Sequence, residues 1–352
     1  MKSLSKIKEY KKILLAIYFL LTLFLVGLLF LIPYLIFYYK NEKPREVVDK
    51  EKEENICENC LRRKLDGVYV SVGEENYYPV AVVYDNHSEA RPPAGLSKAN
   101  LVYETEAEGR ITRYLAFFTN GEKIEKIGPI RSARPYLLDW ANEVNALFVH
   151  CGGSPEALAK IAKEKTNNLN EFYNEKSFWR DHSRTPSHNL FTSGEKLNYY
   201  LNKKGFENPE YESWKYKDDS LKEKASSSEI FLNYQKPYYN PKWVYDNEKN
   251  DYLRYLSGFV HADEDGSEIR AKNIIIQFTA TKVLDSELRL RIDNIGKNKA
   301  IICLDGMCQA GEWNKKNANE RTRFYYENGE EVEFNAGTTW VQVIREGEEV
   351  VY

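Results

Sequence analysis

The stretch from Gly109 to Pro155, GRITRYLAFFTNGEKIEKIGPIRSARPYLLDWANEVNALFVHCGGSP, decides the fold because it passes twice from extended chain into helix. Thr112 to Thr119 and Ala146 to His150 cluster apolar, aromatic and β-branched residues as strands do. The residue before a proline is pushed out of the α region, and proline is well placed at the first helical position. Arg134 is therefore extended and Pro135 opens a helix reaching Asn145; Ser154 is an N-cap and Pro155 opens a second helix reaching Glu164. Cys151-Gly152-Gly153 is the turn between strand and helix. Strands and helices mixed in this way indicate an α/β-type domain.

The same stretch carries Arg110, Arg113, Arg131 and Arg134. Guanidinium forks suit carboxylates and phosphates, and a helix N-terminus adds unpaired N–H groups and a favourable dipole. Ligands of open α/β sheets sit outside the carboxyl ends of strands. If both loops meet there, the arginines, His150 and Ser154 converge on an anion site; otherwise each arginine pairs with a neighbouring carboxylate.

Working outward, Pro79 to Tyr84 and Leu101 to Glu106 read as further strands. Glu104, Glu106 and Glu108 alternate, so three carboxylates share one face and need cations. The nearby arginines or a hard divalent cation held by Glu104 and Glu106 would serve; no other cofactor is implied. Further on, Phe178-Trp179-Arg180-Asp181 and Arg184-Thr185-Pro186, with His188-Asn189, place Arg180, Arg184, His188 and Asn189 beside aromatics. Such a loop suits a sugar or phosphate, or is fastened to its own domain. His150, His182 and His188 follow no zinc spacing and read as hydrogen-bonded histidines. Ser154 lies outside a G-x-S-x-G elbow, which argues against a serine hydrolase.

Residues 207–229 are polar and read as a linker. Beyond them strand signals dominate: Trp243 to Tyr245, Tyr252 to Leu256, Asn273 to Thr279, Leu288 to Ile292, Lys299 to Leu304, Arg321 to Tyr326 and Thr339 to Ile344. Cys303 and Cys308 bracket an Asp-Gly turn signal and can face each other across a hairpin as a disulfide. Cys57-x-x-Cys60 is read as a local disulfide or two free thiols, and Cys151 as a core residue.

At the other end, Ile13 to Tyr39 is an uncharged apolar run, and about twenty helical residues span a bilayer. It reads as an uncleaved signal anchor in the cytoplasmic membrane. Lys2, Lys6, Lys8, Lys11 and Lys12 before it match Lys40, Lys43, Arg45, Lys50 and Lys52 after it in number, so the positive-inside rule is tied. The basic tail preceding an apolar run has the form of an export signal and favours an N-terminus inside and an ectodomain outside. The organisation is thus a tail (1–12), an anchor (13–39), a charged stalk (40–65), an α/β domain (66–206), a linker (207–229) and a β-rich domain (230–352), an α+β protein. With 50 Lys+Arg against 53 Asp+Glu the net charge is −3, which excludes the basic field of a nucleic-acid binder.

The motifs are similar to those of the YerB-like bacterial lipoproteins, built from two consecutive domains of unknown function. In the first half the resemblance rests on Arg91-Pro92, Gly95-Leu96-Ser97-Lys98-Ala99, Val102-Tyr103-Glu104, Ile111-Thr112-Arg113, Ile127 to Arg134, His150 to Pro155 and His188-Asn189-Leu190-Phe191. In the second it rests on Tyr255, His261-Ala262-Asp263, Asn273 to Gln277, Gly311-Glu312-Trp313 and Gly337 to Val341. No lipobox cysteine follows the apolar run, so anchoring falls to the helix. A fainter resemblance to LytR-CpsA-Psr phosphotransferases rests on a membrane anchor, an arginine loop after a strand and a later Gly-Gly. The expected functions are binding of a phosphate- or uronate-bearing envelope glycan or lipid-linked precursor, transfer on a polyprenyl-pyrophosphate glycopolymer, or a scaffold without a small ligand. The residues leave open whether the protein is an enzyme.

Overall fold

The run PVAVVYD is apolar or aromatic on both faces up to its last residue, and NIIIQFT, although Asn273, Gln277 and Thr279 share one face, is buried almost throughout, so both faces of their sheet are covered. The computed structural model describes residues 59–119, 123–207, 209–219 and 226–352, with eight helical positions between Tyr18 and Ile32. Ten strands form one sheet: β1 (Pro79–Asp85), β2 (Leu101–Glu106), β3 (Thr112–Thr119), β4 (Leu147–His150), β5 (Asn168–Asn170), β6 (Asn273–Thr279), β7 (Gly296–Leu304), β8 (Met307–Lys315), β9 (Arg323–Tyr326) and β10 (Thr339–Arg345). Their spatial order is β9-β8-β7-β6-β10-β2-β3-β1-β4-β5. The pairings β6–β10, β10–β2, β1–β4 and β4–β5 are parallel, and β3 runs antiparallel to both β2 and β1. Seven strands, β6, β10, β2, β1, β4, β5 and, through the antiparallel β7, also β8, therefore end at the same edge.

Helices α1 (Pro135–Asn142) and α2 (Pro155–Glu164) cover one face, where Leu137, Trp140 and Ile161 join Val83, Tyr103, Phe148 and Val341 in one core. The other face packs against helix α3 (Gly194–Lys204) and a second, antiparallel sheet that includes Pro241–Asp246 and Asp251–Leu256. Val82, Val102, Trp340 and Ile276 meet Leu197, Leu201, Trp243 and Tyr252 there. The protein has two cores, but they are the two faces of one sheet, and each draws on both halves of the chain.

Several sequence expectations are revised. Pairing begins at Cys60, where Cys60–Arg62 meets Tyr69–Ser71, within the segment read as a charged stalk. In the described part of the polar segment after residue 207, Trp214 is buried against Phe324 and Phe334, and Lys215–Lys217 pairs in parallel with Glu333–Asn335. A single anchoring tryptophan in polar sequence leaves no periodicity to read. α3 and β8 were also unread. A disulfide joins Cys303 and Cys308, which are register partners on either side of the Asp305-Gly306 turn between β7 and β8. The tail, most of the Ile13 to Tyr39 anchor and the stalk up to residue 58 lie outside the described residues. Among the described residues no helix is long and apolar enough to cross a membrane.

Candidate functional site

At the shared edge β1 delivers Asp85, β2 Glu106, β10 Arg345, β4 His150 and β5 Asn170, while the antiparallel β3 starts there with Thr112 and Arg113. The two loops singled out in the sequence meet at this edge. Cys151 N–H donates to the Arg131 carbonyl at 3.1 Å, Ala133 N–H to Gly152 at 3.0 Å and Ser154 N–H to Ala133 at 3.2 Å. Pro135 opens α1, and the Ser154 hydroxyl caps α2 by accepting from Ala157 N–H at 3.3 Å. Gly152 sits at φ +58° beneath the ring of Phe172, 3.0 Å from where a Cβ would stand, so a side chain is excluded on both counts.

Most of the arginines gathered here are already paired. Arg113 and Arg134 share Glu108: Arg113 donates at 3.0 Å, and Arg134 makes a very short contact through Nε. Burial raises the Glu108 carboxyl, but the bond from Arg134 and the charges of both guanidiniums hold it below its usual range. Burial and the charge of Arg134 together pull Arg113 down to about 10. Arg110 lies between Glu106, at 2.7 Å, and Glu348. Arg184 donates to the Ala90 carbonyl at 3.0 Å and to Glu264 at 2.7 Å, fastening its loop to the second half. Arg180 is more open; it reaches Glu171 at 3.2 Å and the Asn189 side chain at 3.1 Å.

The alternating glutamates are neutralised by guanidiniums, two of them from the second half. Glu104 is fully buried and takes two bonds from Arg254, at 2.7 and 3.0 Å, with Trp340 and Thr112 as further donors. Glu106 takes Arg345 at 2.6 Å as well as Arg110, and burial raises its carboxyl despite both. Glu108 lies beyond the strand, in the 3-10 turn Glu108–Arg110.

His150 is wholly buried, donates from Nδ1 to the Gly152 carbonyl at 2.7 Å, and is pushed by burial towards its neutral form. His188 stands apart from it. Its Nδ1 meets Asp85 Oδ2 at 2.6 Å, and its ring stacks on His87, with centroids 4.7 Å apart and planes 12° from parallel. Arg131 reaches the same Asp85 oxygen at 3.3 Å and the Ser187 carbonyl at 2.8 Å. Glu89 approaches His188 Nε2 at 3.8 Å. Of this group only His188 and Arg131 were singled out in the sequence. Asp85, His87 and Glu89 follow directly on the apolar run of β1, and the rule that ligands sit beyond strand ends would have found them.

Partly exposed guanidiniums thus remain at Arg131 and Arg180. Arg180 is bonded to Glu171, and the two residues that follow Glu171 in the chain, Phe172 and Tyr173, are aromatic side chains that the fold leaves out of its cores, 67% and 85% exposed. Cys151 is half-buried against Glu171, and burial pushes its thiol up, away from thiolate reactivity.

The model for the N-terminal domain of DUF3048, a protein of unknown function, matches residues 65–207, and the model for its C-terminal domain matches residues 230–341. Over 289 residues the chain is 30% identical to the "Putative lipoprotein YerB" of Bacillus subtilis (strain 168), which covers 81% of this chain and 86% of that protein. The crystal structure of YerB protein from Bacillus subtilis matches with a TM-score of 0.74 at 28% identity, covering 83% of this chain and 100% of that one.

Proposed function

The chain belongs to the DUF3048 family, and on that premise we propose that it is a membrane-anchored protein of the cell envelope, with its folded part outside the cytoplasmic membrane, that binds a phosphate- or uronate-bearing glycan at the shared strand edge. The apolar run Ile13 to Tyr39 supports the anchor, and the description of the Bacillus relative as a lipoprotein is in keeping with it. The observation that carries the ligand reading is the exposed pair Phe172 and Tyr173, which follows directly on Glu171, the ion-pair partner of Arg180. Rings give a sugar an apolar face to lie on, and a guanidinium fork pairs with its acid group. Arg131 extends the surface, and the buried Asn189 and His188 back it. Arg110, Arg113 and Arg134, with Ser154 and Nδ1 of His150, are engaged within the protein and offer no free donors to the ligand.

The closing of these three arginines on carboxylates favours the scaffold reading for that part of the edge. It also removes support from a phosphotransferase, since Arg113 and Arg134 are held by Glu108 and Glu104 is held by Arg254.

Calorimetric titration of the full chain in detergent micelles with an oligogalacturonate and with inorganic phosphate tests the reading. Arg180→Lys and Phe172→Ala should each weaken binding about tenfold, the equivalent of about 1.4 kcal/mol, while Arg134→Lys leaves it unchanged. No heat with either probe, or equal affinity in all variants, would leave the scaffold.

A further inference from the structure

We infer that His87, Glu89 and His188 form a binding site for a divalent transition-metal cation of the zinc type. Among the described residues these side chains are the one group of three or more potential ligands that closes on itself, with the donor atoms all within 4.8 Å of one another. Ligands bound tetrahedrally at about 2.0–2.2 Å stand roughly 3.5 Å apart, so about 1 Å of closure, with His87 turning out of its stack on His188, completes the site. Glu89, with its side chain 57% exposed, is free to supply its part of that movement.

A second observation points the same way. Asp85, buried at the end of β1, engages Nδ1 of His188 at 2.6 Å. That contact places the proton on Nδ1 and leaves the Nε2 lone pair free on the side where Glu89 approaches at 3.8 Å. A carboxylate behind a histidine is the arrangement that fixes the tautomer and raises the basicity of a metal-ligating imidazole. His87 Nδ1 accepts Glu89 N–H at 3.3 Å, so a metal entering at Nε2 shifts the ring proton to Nδ1 and opens that contact. Arg131 is the neighbouring cation, and it rests on Asp85 rather than on the three ligands.

Two imidazoles and a carboxylate select zinc or a similar first-row ion over magnesium and calcium, which prefer all-oxygen shells. Three protein ligands leave one position of a tetrahedron open, as in zinc sites that take water or an anion. The inference stands apart from the glycan reading, because the metal is measured with no glycan or phosphate present.

The test is equilibrium dialysis of the full chain in detergent micelles, stripped with chelator, against zinc chloride, followed by the absorption spectrum after cobalt substitution. One zinc per chain and a tetrahedral cobalt spectrum are expected in the parent. Asp85→Asn, which removes a positioning residue, should weaken zinc binding by the ~10–100-fold of an outer-shell loss, and His188→Ala by more. Glu89→Gln changes an exposed side chain and decides the matter even where His188→Ala does not fold. Its affinity should fall at least ~10-fold, with the melting temperature unchanged in the absence of metal. No bound zinc, zinc retained unchanged in Glu89→Gln and His188→Ala, or magnesium bound as tightly as zinc would overturn the assignment.

Discussion

Glu104 and Arg254 are 150 positions apart in the chain and meet with no exposed surface on either side chain. Removing a carboxylate and a guanidinium from water costs several kcal/mol per ion, and close pairing with further donors around it is what offsets it. Here Trp340 and Thr112 complete the carboxylate, and Arg254 lies 5.1 Å from the ring centroid of Trp340 and 5.6 Å from those of Trp243 and Tyr114. Its other fork atom meets Nδ1 of His261 at 2.8 Å. That bond requires His261 to accept, and burial and the charge of Arg254 accordingly depress the imidazole well below its usual range. Truncating one partner strands the other, so Arg254→Ala or Glu104→Ala should cost about 3–5 kcal/mol. The apolar pair Glu104→Leu with Arg254→Met should recover most of the loss. Urea denaturation decides this: single variants within about 1 kcal/mol of the parent would show that the pair is not the tie it looks. The need for cations beside Glu104, Glu106 and Glu108 was legible in their alternation. The identity of Arg254 and Arg345 was not, because pairing across the chain leaves no local signature.

At the scale of elements, legibility followed the strength of local chemistry. β2, β3, β6 and α2 occupy the residues expected from their apolar runs and caps. α3 had both an N-cap at Ser193 and a left-handed Gly205 at its end. Between them, however, GEKLNYYLNKK dilutes a narrow apolar stripe with lysine and asparagine. β8, with the sequence MCQAGEWNK, has no sustained alternation; its partner β7 and the Asp305-Gly306 turn define it. The caps themselves are quantitative. Ser154 accepts a bond at the start of α2, and that helix packs its buried Ala157 and Ile161 onto the sheet. Ser154→Ala should therefore lower stability by ~1 kcal/mol and Ser154→Gly by only a few tenths. A chemical-denaturation series in which Ala and Gly are equally destabilising would mean that the hydroxyl has another duty at the edge.

For the molecule as a whole, the decisive contact is β2 against β10, a parallel pairing from Leu101↔Thr339 to Val343↔Thr105 at the centre of the sheet. Sequence reading separates the halves because a polar segment divides them, and strand order across such a segment is carried by no local pattern. The consequence is that residues 59–207 alone would leave β2 as an open edge with unpaired N–H and C=O groups, an aggregation template. They would also lose Arg254 and Arg345, leaving Glu104 without its guanidinium and Glu106 with Arg110 alone. The candidate site depends on the same junction, since Arg184 is held by Glu264 and Arg110 by Glu348. A chain ended at residue 207 is therefore expected to aggregate or to lack fixed aromatic environments by near-ultraviolet circular dichroism. The full chain should unfold in one calorimetric transition whose van't Hoff and calorimetric enthalpies agree. Co-expression of 59–207 with 208–352 should restore both solubility and that transition, because the second piece returns β10, the buried Trp214 and the missing cations together. A first half that unfolds cooperatively by itself at the temperature of the full chain would show that the shared sheet is an association of two finished domains.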